Sequence, residues 1–154
     1  MYRWIFALVL ALLMSVPCLA QQSLVGTYKL VSLDVVVNGT ATQPQGKAPH
    51  GNFVITPTRF IIFYTAENRK FGISVDEKAA LFDTLVGYAG VYRVEGDKFI
   101  YTSDVSWVEN TIGTTRVETF QLSGNLLTTT LGPIPYPRDP SKTVIRTQVW
   151  EKIE

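Results

Sequence analysis

The chain has 154 residues, with 14 Lys+Arg against 13 Asp+Glu, a formal net charge of +1, one histidine and one cysteine. Balanced charge leaves no basic footprint to neutralise phosphates, which argues against nucleic acid as a partner. One cysteine and one histidine exclude a zinc centre built from those ligands, and no cofactor or metal is expected.

The chain begins "MYRWIFALVLALLMSVPCLAQQ". Arg3 precedes an apolar run from Trp4 to Met14; Pro17 breaks it, and the small residue Ala20 follows. That order predicts a signal peptide over residues 1–20, cleaved after Ala20. The run is shorter than the ~20 residues a membrane span requires, so no integral span is expected. Lipidation at Cys18 is the alternative, and Pro17 is a poor fit to the small residue usual before a lipidated cysteine. Cleavage leaves one domain, residues 21–154, without cysteine. Arg3 is the only charged residue removed, so each sign then numbers 13. The expected location is periplasmic or secreted.

From Leu24, "LVGTYKLVSLDVVV" is rich in β-branched and aromatic residues and reads as a strand, ending at Asn38-Gly39, a strong hairpin signal. "ATQPQGKAPHG" reads as a loop. "NFVIT" and "RFIIFYTA", separated by Pro57 and Thr58, read as a second hairpin. Ser74 and Glu77 then stand at capping-box spacing. Val75, Ala79, Phe82 and Val86 fall on one helical stripe, predicting a helix over 75–86 ended by Gly87. The stripe requires an apolar surface to cover, and the barrel's open end or flank is the expected one, with the helix as cap or lid.

From Tyr88 the period becomes two. Tyr88, Gly90, Tyr92 and Val94 share one face, and after the "EGD" turn Phe99, Tyr101, Ser103, Val105 and Trp107 alternate. "TTRVETFQL", "LLTTTL" and, after the loop "GPIPYPRDP", "TVIRTQVWEKI" complete the pattern. Short connections force antiparallel neighbours, so about eight strands closing into a barrel are expected, an all-β fold with one short helix.

"LVGTYKLVS", Thr56-Pro57, "EKAALFDTLVGYAGVYRVEGDK", Gly124-Asn125 and "VWEK" occur in an order that resembles the bacterial lipocalin-like domain family, over residues 24–153. The stretch 77–98 is the most specific part. The resemblance implies an up-and-down barrel with an internal cavity and little about chemistry. The chain departs from the family pattern in three places: Tyr28 stands where the family commonly has a first-strand tryptophan, Tyr101 where it often has histidine, and Glu118 where it often has a basic residue. Arg116 lies two positions earlier on the same face.

His50 is assigned to a loop, and no nucleophile elbow presents a serine to it, so no catalytic residue is assigned. Asp76, Glu77 and Asp83 are not read as metal ligands: the first two lie in the helix's first turn, where the macrodipole favours them. Strand parity places Tyr88, Tyr92, Tyr101, Trp107, Arg116, Glu118, Arg146 and Gln148 toward one interior. An apolar lumen with a few convergent polar groups suits a small molecule, whereas small barrels also fill with their own side chains. Three readings follow. The first is an exported protein holding a small apolar ligand. The second is an enzyme of isomerase, cyclase or dehydratase type, using Tyr92, Tyr101 or Glu118. The third is a filled barrel serving as a structural module. The sequence leaves the oligomeric state open.

Overall fold

The computed structural model describes residues 23–136 and 139–154; the predicted signal segment 1–20 lies outside them. Nine strands form one antiparallel sheet: β1 (Gly26–Val37), β2 (Thr40–Thr42), β3 (His50–Ile55), β4 (Arg59–Thr65), β5 (Leu85–Glu95), β6 (Lys98–Ser106), β7 (Thr115–Ser123), β8 (Leu126–Tyr136) and β9 (Asp139–Lys152). Helix α1 (Val75–Asp83) lies between β4 and β5. The order is β2-β1-β3-β4-β5-β6-β7-β8-β9, and pairing of β1 with β9 closes it into an eight-stranded barrel that leaves β2 outside. One edge of β1 meets β9 from Tyr28↔Lys152 to Val37↔Val144. Its other edge serves β3 in its first half and β2 in its second. The all-β antiparallel barrel expected from the sequence is the fold observed.

The first hairpin turns at Asn38 and Gly39, both at positive φ (49° and 83°), the pair of left-handed positions that an Asn-Gly turn supplies at least cost. Along β5 the inward residues are Tyr88, Gly90, Tyr92 and Val94, as the alternation predicts. Opposite them β6 breaks its register: Ala89 pairs with Val105 but Gly90 pairs with Ser103, so Asp104 is an extra residue. A bulge of this kind flips everything beyond it to the other face. Val105 is therefore 60% exposed, and Ser106 rather than Val105 stands opposite Tyr88. Gly90 permits the close approach, because a Cβ there would sit 2.0 Å from the Thr102 carbonyl oxygen. Arg59 grips the bulged Asp104 with two bonds, at 2.7 and 2.8 Å, on the outer surface.

Four boundaries differ from the sequence reading, the first being Ala41 and Thr42, which pair with β1 as part of β2 instead of opening the loop. Helix α1 ends at Asp83 with Thr84 as its cap, and Val86 and Gly87 already belong to β5. "GPIPY" is not loop but the end of β8, paired with β9. His50 opens β3, exposed, rather than lying in a loop. The capping box is present: Glu77 N donates to Ser74 Oγ, and Glu77 Oε2 accepts from Ser74 N. The expected packing of the helix is not. None of its residues is buried, Val75 is 82% exposed, and its apolar contact is Phe82 against Trp107, with ring centroids 4.9 Å apart. Continuity with β5 holds the helix beside the barrel, so its stripe remains in water.

The core sits in the half of the barrel holding the first residues of β1. Phe53 and Phe60 are fully enclosed and meet Phe99 edge-on, each at 5.8 Å. Trp150 packs on Phe53 at 5.4 Å and Tyr92 stacks on Phe99 at 4.7 Å. Leu24 closes this end, accepting a 2.9 Å bond from the Tyr28 hydroxyl on its carbonyl. In this half the barrel is filled by its own side chains.

Candidate functional site

The opposite half is built differently. Inward positions of β5, β6, β7 and β9 bring Tyr88, Tyr101, Glu118 and Arg146 together. Tyr101 Oη donates to Glu118 Oε1 at 2.8 Å, and Arg146 Nη2 donates to the same oxygen at 2.5 Å. Glu118 is 3% exposed. The carboxylate thus sits in the barrel wall with a cation and a phenol as partners, the condition under which a buried charge is tolerated. Tyr88 and Tyr101 stack with centroids 5.9 Å apart.

Burial shapes the protonation of this cluster. Desolvation, reinforced by the field of Glu118, pushes the Tyr101 hydroxyl up to about 12. Desolvation likewise raises Tyr64 and Tyr88. Burial alone works against the charge on Arg146, but the facing Glu118 outweighs it and holds the guanidinium protonated.

Between this cluster and the loop after β6 lies a cavity of about 220 Å³, lined by Tyr64, Tyr88, Ser103, Trp107, Arg116 and Arg146 among others. The loop over it is tied down: Trp107 N donates to Gly87 O and Gly113 N to Ser103 O, both at 2.8 Å. Several buried polar atoms here make no hydrogen bond within the protein: Tyr88 Oη, Arg146 Nε, both amide atoms of Gln148, and Trp150 Nε1. Arg146, Gln148 and Trp150 are successive inward positions of β9, so these atoms form a polar column descending from the cavity toward the aromatic core. Leaving a buried donor or acceptor unmatched costs ~1–3 kcal/mol each, and most such groups in folded proteins find protein or water partners.

Of the residues predicted from parity, Tyr88, Tyr101, Arg116, Glu118, Arg146 and Gln148 gather at this end, and Trp107 stands at its mouth just past the end of β6. Tyr92 stands apart in the filled half, its hydroxyl donating to Thr56 O at 2.8 Å. Tyr64 was readable from the Phe60, Ile62, Tyr64 alternation of β4, all three of which are buried. Ser106 was hidden by the bulge.

Among the described residues, no three His, Cys, Asp or Glu side chains converge as metal ligands. No helix there is long and apolar enough to cross a membrane. No curated protein and no solved structure matches the chain significantly. The profile of one family, described as a lipocalin-like domain, matches residues 25–153. With that match spanning all the barrel strands, the chain belongs to the lipocalin-like domain family.

Proposed function

We propose that this protein binds a small molecule in the polar half of its barrel. The observation that supports this is the pair of unmatched buried atoms, Tyr88 Oη and Arg146 Nε, on two residues that line a cavity with aromatic walls. A lipocalin-like barrel suits small-molecule binding in general. A filled structural module has no use for unmatched polar atoms on the wall of a cavity. The cavity of about 220 Å³ falls below the ~300–1,000 Å³ of drug-sized sites, so the ligand is small. Its hydrogen-bonding atoms meet the polar side chains that line the cavity, with the rings of Tyr64, Tyr88 and Trp107 around them. A leader-like segment at residues 1–20 supports export, and with it capture or carriage of the ligand outside the cytoplasm.

The enzyme reading would draw on the Tyr101–Glu118 contact. A phenol held protonated up to about pH 12 is poorly matched to proton transfer near neutrality, and its carboxylate partner is also tied to Arg146. The cluster is better suited to orienting a ligand than to transforming one.

The test is calorimetric titration with a neutral single-ring probe, benzyl alcohol, of the native protein and of Ser103→Leu. Ser103 is 4% exposed and lines the cavity, so leucine there occupies it. Micromolar binding that weakens at least about tenfold in the variant, with the far-ultraviolet circular dichroism unchanged, is expected. Equal binding to both proteins would place the probe elsewhere and remove the proposal's basis.

A further inference from the structure

The barrel wall is not continuous between β7 and β8. Their ladder runs from Ser123↔Leu126 only as far as Thr119↔Thr130. Beyond it, Thr115–Glu118 pair with β6 alone, and Leu131, Ile134, Pro135 and Tyr136 pair with β9 alone. The sequence supplies the reason. Pro133 and Pro135 have no N–H to donate, and Gly132, at φ 108°, turns the strand away from its former neighbour.

The split leaves a cleft of about 520 Å³ with aliphatic walls, Val35, Leu131, Ile134 and Val144 among them. Arg116 and Arg146 line both this cleft and the 220 Å³ cavity, so the two spaces meet at the arginines. The charges at that junction do not cancel. Glu118 is engaged by Arg146, whereas Arg116 enters no ion pair among the described residues. A partly buried guanidinium without an ion-pair partner, at the foot of an aliphatic cleft and beside the Tyr88 hydroxyl, suits an anion carrying an apolar body.

We propose that the ligand is a small organic monoanion of carboxylate type, with its head on Arg116 and its body toward the aliphatic cleft, admitted sideways between β7 and β8. This rests on the reading of the polar half as a binding site. It goes further in fixing the charge of the ligand and its route. The aromatic core blocks any path deeper into the barrel, so the body lies in the lateral cleft rather than along the barrel axis.

Calorimetric titration at low ionic strength with benzoate and with benzamide, isosteric and differing in charge, tests it. The proteins are the native chain, Arg116→Gln and Arg116→Lys. Benzoate is expected to bind the native protein at least about tenfold more tightly than benzamide, a difference of ~1.4 kcal/mol. Arg116→Gln is expected to abolish that preference and Arg116→Lys to retain most of it. Equal affinities for the two probes in the native protein, or a preference that survives Arg116→Gln, would overturn the assignment. The first comparison stands even if the glutamine variant fails to fold. If neither probe binds while benzyl alcohol does, the anion is wrong and the lumenal site survives. If none of the three binds, both fail.

Discussion

Tyr101 and Glu118 are joined across β6 and β7 by a 2.8 Å hydrogen bond whose acceptor oxygen also receives Arg146 from β9. Three strands are thereby tied at one buried point, and removing one member leaves the others mismatched. Glu118→Gln is expected to destabilise the fold by roughly 3 kcal/mol, because Arg146, its side chain only 17% exposed, remains enclosed without its anion. Replacing both, as Glu118→Leu with Arg146→Met, is expected to cost much less than the sum of the single changes. Urea unfolding of the four proteins of the cycle measures this. Additive losses would show that the pair is not energetically coupled.

Tyr101 also touches Phe60, Tyr88 and Phe99 and is 2% exposed. Tyr101→Trp therefore overpacks the inner face and is expected to cost ~1–3 kcal/mol. An unchanged midpoint in urea would mean that the space around the ring is looser than its contacts show.

The buried tyrosines set the alkaline limit of stability. In the unfolded chain Tyr101 has the ordinary value of 10.0, and in the fold it is pushed up to about 12; Tyr64 and Tyr88 are raised in the same direction. A raised folded value favours the protonated form, so this contribution is fully present below pH 10 and is lost as the pH climbs from about 10 to 12. Absorbance at 295 nm should show these phenols ionising late and together with loss of the β-sheet signal. Ionisation of every tyrosine near pH 10, with the fold intact, would contradict the burial.

Helix α1 has a capping box and no buried residue, so its stability is local. Ser74→Ala removes the acceptor for Glu77 N and is expected to speed amide exchange across Val75–Asp83, with little change in global unfolding. A loss of global stability would show that the helix is part of the core after all.

The strand order and most of the inner face could be read from the chain because β parity is a local property: Phe99, Tyr101, Arg116, Glu118, Arg146 and Gln148 all obey it. The expected helix packing failed because an amphipathic stripe demands a partner only if the flanking chain delivers it to one. Here the direct junction of Asp83, Thr84 and Leu85 fixes the helix beside the barrel. The bulge at Asp104 was invisible for a related reason. It uses the space left by Gly90, and its extra residue, Asp104, meets Arg59 two strands away, neither of which shows in the alternation of β6. The division of the lumen into a filled half and a polar half was likewise not legible. Parity names the residues that point inward but not the depth at which each one sits.

The two tryptophans of the barrel report on opposite halves: Trp107 lines the cavity, and Trp150 is fully enclosed against Phe53. Fluorine NMR of 5-fluorotryptophan-labelled protein, its signals assigned with Trp107→Phe and Trp150→Phe, separates the two during titration with single-ring carboxylates and their neutral amides. Binding in the polar half is expected to shift the Trp107 signal in a saturable manner and to leave Trp150 nearly unmoved. A saturable shift at Trp150 alone, or no shift at either site across the panel, would contradict a small-molecule site at that end of the barrel.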